Sequence, residues 1–144
     1  MAPYTFTQQA TTSIIAMDRR RDKACGVSRW ERLKQQIDHL SPAAFAQMMR
    51  RSDVVLLDVR RPDEFASGHL PHARNLDYLG EPFIDELEQL DRTATYLVYC
   101  NSGRRSLRTC VLMCNSGFQK VYNLDGGLRR WLAASDIPKP ELVG

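Results

Sequence analysis

The sequence contains no apolar run near the ~18–20 residues that a helix needs to cross a bilayer, so no membrane span is expected. Its longest uncharged stretch, Met1 to Met17, is rich in Thr and Gln. The one compact apolar group there, Ile14-Ile15-Ala16-Met17, is shorter than a secretory core of ~7–15 residues. Acidic residues are also missing from that stretch, and Arg19-Arg20-Arg21 follows it, a faint likeness to an organelle transit peptide. A cytoplasmic protein with a flexible tail over residues 1–27 is the expectation.

Metal-site spacing is lacking too. The four cysteines, Cys25, Cys100, Cys110 and Cys114, form no C-x2-C pair, and His39, His69 and His72 have no partnered spacing, so no metal is expected. The even cysteine count does not imply a disulfide framework, because 144 residues bury enough core to stand without staples. Nor is one sign of charge in excess where the chain should fold. Residues 1–34 carry seven basic and three acidic side chains, whereas residues 35–144 carry thirteen basic and fourteen acidic. A nearly neutral body argues against a nucleic-acid partner, and the basic start reads as a solvated tail.

What is present is the balance of one globular domain, 43% hydrophobic and 26% charged. Trp30, Leu33 and Ile37 suggest the start of a short helix or a lead-in segment. Ser41-Pro42 reads as a helix start, Ser as N-cap and Pro at the first position, with Phe45, Met48 and Met49 turned inward. Val54-Val55-Leu56-Leu57, Tyr96-Leu97-Val98-Tyr99 and Val121-Tyr122-Asn123-Leu124 look like strands buried on both faces. Helical patterns lie between and after them, at about 62–67, 83–90, 104–116 and 127–134. Alternating strands and helices predict an α/β fold with a mainly parallel sheet. Asp58, Cys100 and Gly126 then fall at strand carboxyl ends, where ligand sites of such sheets gather.

The informative segment is Cys100-Asn101-Ser102-Gly103-Arg104-Arg105-Ser106. It follows a buried strand and opens a helix with apolar positions Leu107, Cys110, Val111 and Cys114. Such a junction turns successive backbone N–H groups inward as an anion-binding nest, and Gly103 allows the positive φ this takes. Small Asn101 and Ser102 should keep its mouth open. Amides, helix dipole, Arg104 and Arg105 would together favour a thiolate at Cys100. A buried, inert cysteine is the plainer alternative. The assignment requires amides that face the sulfur, and either a sulfur shut in the interior or amides turned away from it would overturn it. The same four letters recur as Cys114-Asn115-Ser116-Gly117 at the helix end, followed by Phe118. There the dipole is negative and no arginine follows, so that copy reads as a C-terminal cap.

The loop from Cys100 to Ser106 resembles the active-site loop of the rhodanese family of sulfurtransferases. Other family marks follow in order: Leu57-Asp58-Val59-Arg60, Pro62-Asp63-Glu64-Phe65, Gly68-His69-Leu70-Pro71, Asn75, Gly117-Phe118, Leu124-Asp125-Gly126-Gly127 and Trp131. The resemblance covers about residues 37–134. It implies a single rhodanese-like domain over 28–144, with a central sheet of about five strands and helices on both faces. Departures exist: Arg61 stands where an acidic or small residue is common, His72 replaces a usual glycine, and Cys110 and Cys114 replace small residues.

The resemblance also implies the chemistry. Thiolate at Cys100 takes the outer sulfur of a donor such as thiosulfate, releases sulfite and holds the sulfur as a persulfide. Cyanide, a thiol or a protein acceptor then removes it. Asn101, Ser102, Gly103, Arg104, Arg105 and Ser106 would bind the small anionic donor and shelter the persulfide, and no cofactor is needed. Phosphatases and arsenate reductases of this fold are associated with a loop one residue longer. Asp58 either directs a loop arginine or caps its strand, and Arg60 reads as an ion-pair partner. His69 reads as a turn residue, Cys110 and Cys114 as core. The competing function is a rhodanese-like carrier or partner-binding module with little activity on thiosulfate.

Overall fold

The computed structural model describes residues 28–135 and 137–144. The expected flexible tail, Cys25 included, lies outside the described residues. The chain divides between Gln36 and Ile37. In the first unit, α1 spans Arg29–Gln35, and the Ser28 hydroxyl caps it by accepting the Glu31 N–H at 3.1 Å. Ile37, grouped with this helix from the sequence, lies past its end.

The second unit is built on five strands, β1 (Asp38–Leu40), β2 (Val54–Asp58), β3 (Arg74–Asn75), β4 (Thr95–Tyr99) and β5 (Lys120–Leu124). All pair in parallel, in the order β1-β5-β4-β2-β3. The helices are α2 (Pro42–Met49), α3 (Pro62–Ala66), α4 (Phe83–Glu88), α5 (Arg104–Asn115) and α6 (Gly127–Ala133). Among the described residues no helix is long and apolar enough to cross a membrane.

Alternation along β4 explains its two packed faces. Leu97 and Tyr99 join Phe45, Leu56, Leu70, Leu124, Leu128 and Trp131 in one buried cluster. The opposite side of the strand presents Tyr96, whose ring meets Phe118 edge-on at 5.5 Å. Trp131 and Phe45 have no exposed surface, and their rings cross at 81°, pinning α6 to α2. Met48 and Met49, expected in the core, are only half-buried at its border.

Helix starts follow the sequence signals. The Ser41 hydroxyl accepts the Ala44 N–H at 3.2 Å ahead of Pro42. α5 ends at Asn115, where Gly117 takes φ 99° and the Phe118 N–H returns to the Met113 carbonyl at 3.0 Å. The second Cys-Asn-Ser-Gly is thus a helix stop. Packing continues past residue 134: Leu142 borders the core, and His69 and Val143 exchange both backbone hydrogen bonds. His72 holds φ 67°, the left-handed region in which glycine is the easier residue.

Candidate active site

β2 and β4 lie side by side, with Asp58 opposite Tyr99, so the residues that follow them emerge together at one sheet edge. Cys100 follows Tyr99 directly. Gly103, at φ 94°, turns the chain back over the sulfur and opens α5 at Arg104. Cys100 Sγ accepts N–H groups of Gly103 at 3.1 Å and Ser106 at 3.3 Å, and the Ser106 hydroxyl stands 3.4 Å away. The amides therefore face the sulfur, as the loop pattern requires, and the dipole of a 12-residue helix adds to them.

The open mouth does not appear. Cys100 is 1% exposed, so the expectation of a sulfur outside the interior is not met, while the expectation of inward-facing amides is. The tight turn at Gly103 causes this, since it folds Ser102 and Arg104 to the outside, where both are exposed. Asn101 and Arg105 are half-buried at the rim, and Gly103 and Ser106 are buried beneath. Any donor sulfur must be drawn down between loop residues to reach Sγ.

The loop is held from two sides. On one, the Cys100 and Asn101 carbonyls accept the N–H groups of Leu128 at 2.8 Å and Arg129 at 3.0 Å, the first turn of α6. On the other, a polar chain runs outward from β2. The Asp58 carboxylate accepts the Arg60 guanidinium at 2.7 and 2.9 Å, with exposures of 0% and 4%. Arg60 also donates to the Gly68 carbonyl at 2.7 Å and reaches the Asn101 side-chain oxygen at 3.4 Å. Burial alone would lower the Arg60 pKa, but Asp58 outweighs it and raises it. Asp58 therefore pairs with Arg60, two residues on, and not with a loop arginine. The reason is reach: the strand end presents both groups to each other before the loop arrives.

Glu64, which the sequence places only in the Pro62-Asp63-Glu64-Phe65 motif, also belongs to the site. It accepts Asn101 Nδ2 at 2.5 Å and Arg105 Nη1 at 3.2 Å, besides the Arg61 N–H at 2.9 Å. Burial pulls its pKa up, yet the Arg61 amide, Arg105 and Arg60 hold it below the ordinary carboxylate value. Its signal in the sequence was a glutamate at the third position of a Pro-initiated helix beside the Asp58 strand end. Asn75 donates to the Asp58 and Arg60 carbonyls at 3.0 Å each. His69 bonds the Phe65 carbonyl through Nδ1 at 2.8 Å and stacks on its ring, as a turn residue. Tyr99 takes the Leu70 N–H on its hydroxyl oxygen, and burial followed by the Asp58 charge raises its pKa strongly.

No cluster of His, Cys, Asp or Glu able to hold a metal ion occurs among the described residues. Cys100, Cys110 and Cys114 are all free thiols. A cysteine cradled by amides at the carboxyl edge of a parallel sheet defines a class of anion-handling, thiol-based proteins. Within that class the match is specific: residues 41–134 fit the rhodanese-like domain, and the chain belongs to that family.

Known relatives agree. The thiosulfate sulfurtransferase GlpE of Stutzerimonas stutzeri is 36% identical over 90 residues, 62% of this chain and 81% of that one. The GlpE of Pseudomonas putida is 31% identical over 98 residues, 68% and 87% of the two chains. Among solved structures, a rhodanese-related protein of Thermoplasma volcanium superposes with a TM-score of 0.61 at 23% identity, over 74% of this chain and 97% of that one, a likeness of fold. Sulfur transfer is the reaction class of the chain.

Proposed function

We propose that the chain takes sulfane sulfur from thiosulfate or a similar donor and passes it to a thiol or cyanide, with Cys100 as the carrier. The observation that carries this is the pair of N–H groups, from Gly103 and Ser106, aimed at Sγ. They stabilise a sulfur anion before the donor arrives. In the first step the Cys100 thiolate attacks the outer sulfur of thiosulfate, the S–S bond of the donor breaks, and sulfite leaves with the electron pair. The product is a Cys100 persulfide anion, so the charge is unchanged overall. In the second step cyanide takes the outer sulfur, thiocyanate leaves and the thiolate returns.

In this scheme Gly103 and Ser106 hold the outer sulfur, Asn101 and Arg105 line the rim above it, and Ser102 and Arg104, on the outside, meet the donor anion as it approaches. Asp58 and Arg60 act through Asn101, by fixing the floor on which the loop rests. Thiol chemistry of this kind suits the cytoplasm, where thiols stay reduced. The test is intact mass spectrometry after thiosulfate treatment, with thiocyanate formation measured alongside. One added sulfur on Cys100, lost in Cys100→Ser, is the expected result. A wild-type chain that gains no sulfur and forms no thiocyanate is a partner-binding module instead.

A further inference from the structure

Glu64 does more than its local position requires. A glutamate at the third position of a helix needs only the return bond to its N-cap, here the Arg61 N–H. Its other two bonds span 37 and 41 residues to Asn101 and Arg105 in the cysteine loop. The Arg105–Glu64 pair is 25% and 26% exposed, so water screens it only in part. Arg105 is the loop cation at the rim, where a donor's anionic head would arrive, and a carboxylate already occupies it. A thiosulfate sulfonate set on Arg105 would meet Glu64 at the same guanidinium. The persulfide of a small neutral thiol brings no sulfonate, and its transferred sulfur goes to the loop amides.

Building on the assignment of Cys100 as sulfur carrier, we propose that Glu64 selects the donor by charge, disfavouring dianionic thiosulfate relative to the persulfide of a small thiol. In the favoured step the Cys100 thiolate attacks the terminal sulfur of RS–SH. A new S–S bond forms to Cys100, the donor S–S bond breaks, and RS⁻ leaves with the electron pair. The proton stays on the transferred sulfur, and no oxidant is consumed.

The test compares the rate of sulfur loading onto Cys100, by intact mass, from thiosulfate and from 2-mercaptoethanol persulfide. In Glu64→Gln the thiosulfate-to-persulfide rate ratio should rise about three- to tenfold over wild type. The rise should shrink in added salt. Glu64→Asp, which keeps the charge, should hold a ratio near that of wild type. An unchanged ratio in Glu64→Gln, with both rates lowered together, would mean that Glu64 only braces the loop, and overturns the proposal, as does a fall in the ratio. If sulfur loads on wild-type Cys100 and the ratio does not move, the Glu64 proposal alone is lost. If neither donor loads wild-type Cys100, the carrier assignment fails and takes this one with it.

Discussion

The carbonyl oxygen of Cys100 accepts the backbone N–H of Leu128 at 2.8 Å, which joins the cysteine loop to the start of α6. The contact depends on two glycines in the left-handed region, Gly126 at φ 79° and Gly127 at φ 68°. They let the first N–H groups of α6, which have no partner inside their own helix, cap the loop backbone. Core packing then bears on the sulfur: Leu128 and Trp131 anchor α6 in the buried cluster, and α6 holds the loop.

Gly127→Ala tests this link. An added Cβ would stand 2.7 Å from the Cys100 carbonyl oxygen, in a backbone conformation that L residues avoid. The neighbouring atoms are backbone, so the loop itself must move. A loss of about 1–3 kcal/mol in urea denaturation is expected, with a fall in sulfur loading of Cys100. An unshifted midpoint with normal loading would show that α6 does not fix the loop.

Asp58→Asn should be among the most damaging changes away from the cysteine. It leaves the Arg60 guanidinium, 4% exposed, without its carboxylate. Breaking one side of a buried ion pair costs about 3–5 kcal/mol. Replacing both residues with apolar ones of similar volume, Asp58→Leu with Arg60→Met, should cost less than Asp58→Asn alone. Denaturation of the single and double variants measures this, and additive losses would contradict the pairing.

These two cases mark what the residues announced. The long strands were readable because Val54 to Leu57 and Tyr96 to Tyr99 are continuous apolar runs. β1 and β3 were not, since Asp38-His39-Leu40 and Arg74-Asn75 are short, polar edge pieces held by one neighbour each. The cysteine loop was legible from Gly103 and its helix start. Glu64 escaped because its partners are 37 and 41 residues away, and a local pattern explains it as a cap. The burial of Cys100 was legible only as the competing reading of an inert cysteine, because the same residue pattern fits a sulfur at the mouth or on the floor of the loop.

His72→Gly should stabilise the protein. At φ 67° a residue with a Cβ is strained by about 1–2 kcal/mol, and the added backbone freedom of glycine offsets roughly 0.5–1 kcal/mol of the relief. A net gain of about 0.5–1 kcal/mol is expected in denaturation, with sulfur loading intact. A loss of stability would mean that the imidazole makes a contact worth more than the strain.

The cysteines should separate by reactivity, and the outcome sets the loop amides against burial. Cys110 is fully buried, and burial first, then Cys114 and Cys100, push its thiol well above the ordinary value. Cys114 is raised by burial and then by Asp38. A raised thiol pKa keeps the unreactive neutral form to higher pH, so both should alkylate slowly near pH 8 and faster as pH rises. The linkage has the same sign: this contribution to stability is complete below the unfolded thiol value of about 8.5 and fades as pH climbs through the folded one. Cys100 is about as hidden as Cys110, yet its sulfur faces two backbone N–H donors. In a Cys25→Ser background, iodoacetamide should therefore place its first adduct on Cys100 by peptide mapping. First labelling at Cys114, the most exposed of the three, would mean that access and not the amide cradle governs thiol reactivity.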